Sequence, residues 1–206
     1  MTAVARAPVR NVVFDFGGVL VNWRPQEIIE SFYAEPHLRE ALRTHAFQHD
    51  DWLDMDRGTL DEASVVRRCA ARMARPESEL RALFEHVRAA LTPIEPTVAL
   101  LRELRQRSGL KLYGLSNMSE AIFAHLDGQH DFFKLFDGIV VSAAVKLLKP
   151  EPAIYEHLRE RFALEFAESV FIDDLARNVE SARQAGLPAI QFVSTDQVRR
   201  ELVPLL

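Results

Sequence analysis

The chain has 206 residues, 48% of them hydrophobic and 27% charged, a balance that excludes a disordered chain, a collagen-like repeat or a coiled-coil rod. Lys and Arg number 25 against 30 Asp and Glu, a net charge of -5, with no basic run dense enough to predict nucleic-acid or anionic-lipid binding. At about 150 residues per domain the length amounts to about 1.4 domains, which fits one domain carrying an insertion.

Asn11 to Phe16 is a short, apolar, β-branched run that stops at Gly17-Gly18, the pattern of a buried strand followed by a tight loop. From Pro25 to Leu91 the texture changes to amphipathic helices, predicted over Gln26 to Tyr33, His37 to Phe47, Leu60 to Met73 and Pro76 to Leu91, with no strand between them. Pro93-Ile94-Glu95-Pro96 forms a joint, and strand and helix then alternate. Helices are predicted over Thr97 to Gln106, Ile122 to Leu126, Pro152 to Phe162 and Ala176 to Ala185. Strands are predicted over Leu110 to Leu115, Gly138 to Ser142, Ser169 to Ile172 and Ala189 to Val193, before a terminal helix. This alternation implies an α/β fold, a Rossmann-like parallel sheet flanked by helices. Its expected core spans residues 1–22 and 93–206, with residues 23–92 inserted as a helical cap.

In a parallel sheet, chemistry collects at the carboxyl ends of the strands. Those ends deliver Asp15, then Ser116 and Asn117, then Lys149 before Pro150, then Asp173 and Asp174. Asp15 follows a strand and precedes two glycines, Gly17 and Gly18, which let backbone approach a ligand closely. Asp173 and Asp174 would repel Asp15 without a cation among them, and hard oxygen donors with open positions favour Mg²⁺. Ser116 can donate to a phosphate oxygen, and Lys149 supplies a positive charge for a phosphoryl group and for Asp15. The set describes phosphoryl transfer through an aspartyl-phosphate. Helix capping by Asp173 and Asp174 is compatible with that role.

These segments resemble the haloacid dehalogenase superfamily, on its phosphatase side. Phe14-Asp15-Phe16-Gly17-Gly18-Val19-Leu20 is similar to its first motif, Leu115-Ser116-Asn117 to its second, Lys149-Pro150-Glu151-Pro152 to its third, and Phe171-Ile172-Asp173-Asp174 with Asn178 to its fourth. The resemblance implies that Asp15 is the nucleophile, that Mg²⁺ is held by Asp15, the Gly17 carbonyl and Asp174 with Asp173 alongside, and that Ser116 and Lys149 bind phosphate. One position departs from it. Most phosphatases of the superfamily carry a second aspartate two residues after the nucleophile, and Gly17 stands there. General acid–base help is worth about 10² to 10⁴ in rate, so its loss favours a good leaving group such as an anomeric hydroxyl. A subset with a similar Asp-x-Gly motif, resembling a bacterial sugar-1-phosphate phosphatase, points the same way, to a small, sugar-like phosphorylated metabolite.

Within the insertion, Trp23, His49, Asp50, Trp52 and Arg57 are candidates to close over substrate, with Trp23, Arg57, Asn117 and the Gly18 backbone expected to touch it. His45 and His49 lie four apart without the Glu of a zinc-protease pattern. Cys69 in an amphipathic helix is expected in the core. With a single cysteine, no secretory apolar run at the start and no stretch near the roughly 20 residues that span a bilayer, the expected setting is cytoplasmic. Two rival functions remain: a metal-free 2-haloacid dehalogenase using Asp15, which has no need of the Asp173-Asp174 pair, and a catalytically weak phosphate-binding or interaction protein, suggested by Gly17.

Overall fold

The computed structural model describes residues 8–206. Five strands form one parallel sheet: β1 (Asn11–Phe14), β2 (Lys111–Ser116), β3 (Gly138–Val141), β4 (Ser169–Asp173) and β5 (Ala189–Gln191), in the order β3-β2-β1-β4-β5. All four residues of β1 are buried, which is why its sequence is apolar without alternation. The chain leaves β1 to one side and returns to its other side only at β4, so the order reverses at β1 and a crevice opens beyond its carboxyl end. Phe14 lies opposite Gly114 and Ile172, and this register sets the ends of β1, β2 and β4 flush.

Side chains of a strand alternate between faces, and each face has its own core. Val12 and Phe14 pack with Val98, Leu101, Leu104, Ile122, Val198 and Leu202. These come from α6 (Glu95–Arg105), α7 (Glu120–Gln129) and α10 (Thr195–Leu202). Val13 packs on the opposite face with Tyr113, Phe171, Tyr155, Leu158 and Ala182, the last three from α8 (Pro152–Phe162) and α9 (Ala176–Gln184). Tyr155 turns its hydroxyl to the Asn178 carbonyl at 2.9 Å, so its burial leaves no unpaired donor.

Five helices lie between β1 and α6: α1 (Pro25–Phe32), α2 (Pro36–Leu42), α3 (Asp50–Asp56), α4 (Glu62–Met73) and α5 (Glu77–Ala90). The chain enters and leaves this stretch side by side, with the Asn22 N–H donating to the Thr92 carbonyl at 2.8 Å and the Asn22 amide to the Thr92 hydroxyl at 3.0 Å. The predicted helix over His37 to Phe47 divides, since α2 ends at Leu42 and Arg43–Phe47 continues as a π-helical turn. Helix α3 has no counterpart in the sequence reading. Its polar sequence shows little apolar period, and it starts because the His49 ring accepts from the Asp51 N–H at 3.1 Å while Asp50 and Asp51 occupy its first turn. Cys69 is buried, as expected. Among the described residues no helix is long and apolar enough to cross a membrane.

Candidate active site

Asp15 follows β1 directly and is buried, its backbone N–H still bonded to the Ile172 carbonyl at 2.9 Å. Its Oδ1 accepts from the Phe16 N–H at 2.7 Å and meets Lys149 Nζ at 2.8 Å, which leaves Oδ2 the freer of its two oxygens. Burial pushes the Asp15 carboxyl up to about 8, with Lys149 pulling down and the charges of Asp173 and Asp174 adding to the rise. A second cation near these acids would bring Asp15 back to its ionised form.

Lys149 is buried and donates to three oxygens: Asp15 Oδ1 at 2.8 Å, Asp173 Oδ2 at 2.7 Å and the Leu115 carbonyl at 3.0 Å. Burial alone would depress its pKa, but the charges of Asp15 and Asp173 outweigh it and hold the ammonium above the ordinary lysine range. Asp173, the last residue of β4, is saturated. Besides Lys149 it accepts from the Leu175 N–H at 2.8 Å and from the Asn178 amide at 3.0 Å on each oxygen. It therefore anchors the lysine, and the half-buried Asp174 is the more open carboxylate.

Asp15, Asp173 and Asp174 each offer an oxygen, all within 4.8 Å of one another. Burial first, and then the charge of Asp173, push the Asp174 carboxyl above its usual range. Three hard oxygen donors, of which Asp15 and Asp174 resist ionisation without a nearby cation, fit a divalent cation such as Mg²⁺. Gly18 permits this arrangement: at φ +75° a Cβ there would stand 2.4 Å from Asp174 Oδ2.

Ser116 is buried at the end of β2. The Asn117 amide, expected at the substrate, is committed to the loop that carries the lysine, donating to the Lys149 carbonyl and accepting from the Lys149 N–H, both at 2.8 Å. Arg57 likewise pairs with Glu151, at 2.5 and 3.0 Å. Trp23 packs against Gly17 and stacks on Trp52, whose other neighbours are Phe47 and Phe84. His49 and Asp50 serve the start of α3. A cavity of about 500 Å³ opens beside Asp174 and Gly18, with Trp23, Ile94, Phe192 and Val193 among its walls.

Ser142 escaped the sequence reading. It is the first residue after β3, so the strand-end rule that selected Asp15 and Ser116 also pointed to it. Its hydroxyl donates to the Asp56 carbonyl at 2.5 Å and accepts from the Met118 N–H at 3.0 Å, joining the helical insertion to the loop after Ser116.

The fold is a parallel α/β sheet whose strand ends bring an aspartate, a buried lysine and an acidic pair together. The chain belongs to the haloacid dehalogenase-like hydrolases, whose family model matches residues 9–186. It is 28% identical to the sesquiterpene phosphatase astK of Aspergillus oryzae, over 94% of this chain and 95% of that protein. It is 30% identical to the drimenol cyclase drtB of Aspergillus calidoustus over 94% of this chain, which spans only 36% of that protein. In fold it is similar to a family enzyme of Bacteroides thetaiotaomicron solved with magnesium and inorganic phosphate, at TM-score 0.73 and 21% identity, covering 89% of this chain and 93% of the other. The L-2-haloacid dehalogenase of Xanthobacter autotrophicus shares the fold at TM-score 0.67 and 23% identity, covering 95% of this chain and 83% of the other.

Proposed function

We propose that this chain is a Mg²⁺-dependent phosphatase that hydrolyses a small phosphorylated metabolite through a phosphoryl group carried on Asp15. The observation that carries the reading is the Lys149 ammonium held 2.8 Å from Asp15 and 2.7 Å from Asp173, with Asp174 left open beside them. Residues 23–92 act as a helical cap on the core of residues 1–22 and 93–206. Mg²⁺, held by Asp15, Asp174 and the Gly17 carbonyl, would neutralise the acidic cluster and the phosphoryl charge.

Asp15 Oδ2 attacks phosphorus in line, the new O–P bond forms as the bond to the leaving alcohol breaks, and the alkoxide takes its proton from water because Gly17 offers none. Lys149 offsets charge on the transferring group and Ser116 donates to one of its oxygens. Water then attacks phosphorus, inorganic phosphate leaves and the Asp15 carboxylate is regenerated.

The anomeric leaving group suggested by Gly17 makes a sugar phosphate one candidate. A second reading rests on the cavity beside Asp174: walls that include Trp23, Ile94, Phe192 and Val193 suit the phosphate of an apolar alcohol, in keeping with the similarity to the sesquiterpene phosphatase astK. A cytoplasmic setting is proposed on the single, buried Cys69.

The test is a panel of sugar phosphates and terpenyl monophosphates with Mg²⁺, read as phosphate release and repeated with Asp15→Asn. Release from at least one class, abolished in the variant, is expected. No release from any phosphomonoester would overturn the reading, and chloride release from 2-haloacids without metal would replace it with the dehalogenase.

A further inference from the structure

The corner Asp56-Arg57-Gly58 ends α3 and reaches both loops that carry the proposed phosphate-binding groups. Arg57 forms a fork with Glu151, Nη1 to Oε2 at 3.0 Å and Nη2 to Oε1 at 2.5 Å. Glu151 in turn encloses Lys149, since its Oε2 accepts from the Leu148 N–H at 3.2 Å and its own N–H donates to the Leu148 carbonyl at 2.8 Å. The next residue, Gly58, touches backbone: at φ +75° a Cβ there would stand 2.2 Å from the Ala143 carbonyl oxygen, so only glycine admits this approach. The Asp56 carbonyl takes the Ser142 hydroxyl, which also accepts from Met118, two residues after Ser116.

Planar, two-point contact of this kind fixes orientation as well as distance, which a lysine ammonium does not do. The pair is also partly open to water, with the Arg57 and Glu151 side chains 32% and 39% exposed, so solvent screens it, while its bidentate geometry still lets it add to stability; turnover and Tm must therefore be read side by side.

We infer that Arg57 is a positioning residue: acting through Glu151, it couples the seating of the helical insertion to the placement of the Lys149 ammonium over Asp15. This rests on the phosphatase reading. Arg57 touches no reacting atom. It holds the Leu148-to-Glu151 turn, and Asn117 passes that constraint to the loop after Ser116 through its two bonds to the Lys149 backbone. An ångström of misplacement at a phosphoryl site is worth up to about 10² in rate, so loosening this corner should be read in turnover.

The experiment measures kcat, KM and Tm for the full chain with Mg²⁺ and para-nitrophenyl phosphate, comparing wild type with Arg57→Ala, Arg57→Lys, Glu151→Gln and the double variant Arg57→Ala/Glu151→Gln. Expected are a fall in kcat of at least about tenfold in Arg57→Ala and Glu151→Gln, a double variant no slower than the worse single, partial rescue in Arg57→Lys and Tm values within a few degrees of wild type. Unchanged kcat, additive losses, or losses that track Tm would overturn the inference. Wild-type protein without turnover would count against the phosphatase reading instead. The coupling is then read from calorimetric binding of inorganic phosphate with Mg²⁺, where a weakening of at least about fivefold in Arg57→Ala supports it and unchanged binding overturns it.

Discussion

Trp23 covers Gly17 so closely that a Cβ added at residue 17 would stand 3.3 Å from the Trp23 Cβ and 3.6 Å from its Cγ. Residue 17 and the aromatic side chain are therefore linked, because an aspartate at 17 requires Trp23, which also walls the cavity beside Asp174, to give by a few tenths of an ångström. Gly17→Asp alone is expected to lower stability by about 1 to 3 kcal/mol, the usual cost of overpacking, without raising turnover. Adding Trp23→Ala should recover part of that loss. Thermal unfolding of the two single variants and the double checks this, and strictly additive changes in Tm would show that the two positions are independent.

Lys149 stands between two buried carboxylates, so removing it leaves Asp15 and Asp173 without their cation. Lys149→Met is expected to cost about 3 to 5 kcal/mol, typical of breaking a buried pair, and to abolish turnover. The sign of the pH dependence follows. With the lysine gone the Asp15 carboxyl loses the charge that pulls it down and rises beyond about 8, so this part of the loss appears as pH climbs past about 8 and Asp15 is forced to ionise inside the fold. Denaturant unfolding at pH 6 and pH 9 measures it, and an equal loss at both values would contradict the uncompensated-charge account.

Much of this site was legible in the sequence because strand ends are marked by changes in residue type. Asp15, Ser116 and Asp173 each close or directly follow an apolar run, and the flush register of β1, β2 and β4 converts that marking into proximity. The helices were legible where an apolar face repeats, as in α4 and α5, and illegible in α3, which is held by an N-cap and by the Asp51 pairs to Arg68 and Arg72. What spacing could not reveal is how each polar side chain divides its bonds. Asn117 read as a substrate contact because it follows Ser116 at a strand end, and Arg57 because it is a polar residue of the inserted cap, yet the structure gives each a protein partner. The choice between a ligand and a neighbour depends on distances that only the folded chain sets.

The Asp56 carboxyl is pushed up to about 7 by burial, although residue 56 keeps some exposed surface and the Ser119 backbone N–H favours ionisation. Its folded-state pKa lies above the unfolded value of 3.8, so the unfolded chain ionises first as pH rises. The Asp56 contribution should therefore fall between pH 4 and pH 7 and level off above that, with Asp56 forced to ionise inside the fold, while Asp15 adds a separate fall that continues to about pH 8. Asp56→Asn keeps the backbone carbonyl that Ser142 holds and removes the charge. It should flatten the fall over that window and raise Tm at pH 8, and an unchanged pH–Tm profile would remove Asp56 as the source.

The two candidate metal-binding aspartates of the fourth motif differ in what already holds them, and substitution should separate their roles. Asp173 is filled by Lys149, Asn178 and the Leu175 N–H, whereas burial and the neighbouring Asp173 charge leave Asp174 above its usual pKa and in need of a cation. Asp174→Asn keeps the shape and removes that charge, so it should weaken Mg²⁺ binding by at least about tenfold while leaving Tm of the metal-free protein unchanged or higher. Asp173→Asn should instead lower Tm, because the buried Lys149 loses one of its two anionic partners. Calorimetry with Mg²⁺ and thermal unfolding in EDTA distinguish the two. In wild type, chelation should abolish phosphate release and Mg²⁺ restore it, and activity indifferent to chelation would return the metal-free dehalogenase chemistry of Asp15 to the front.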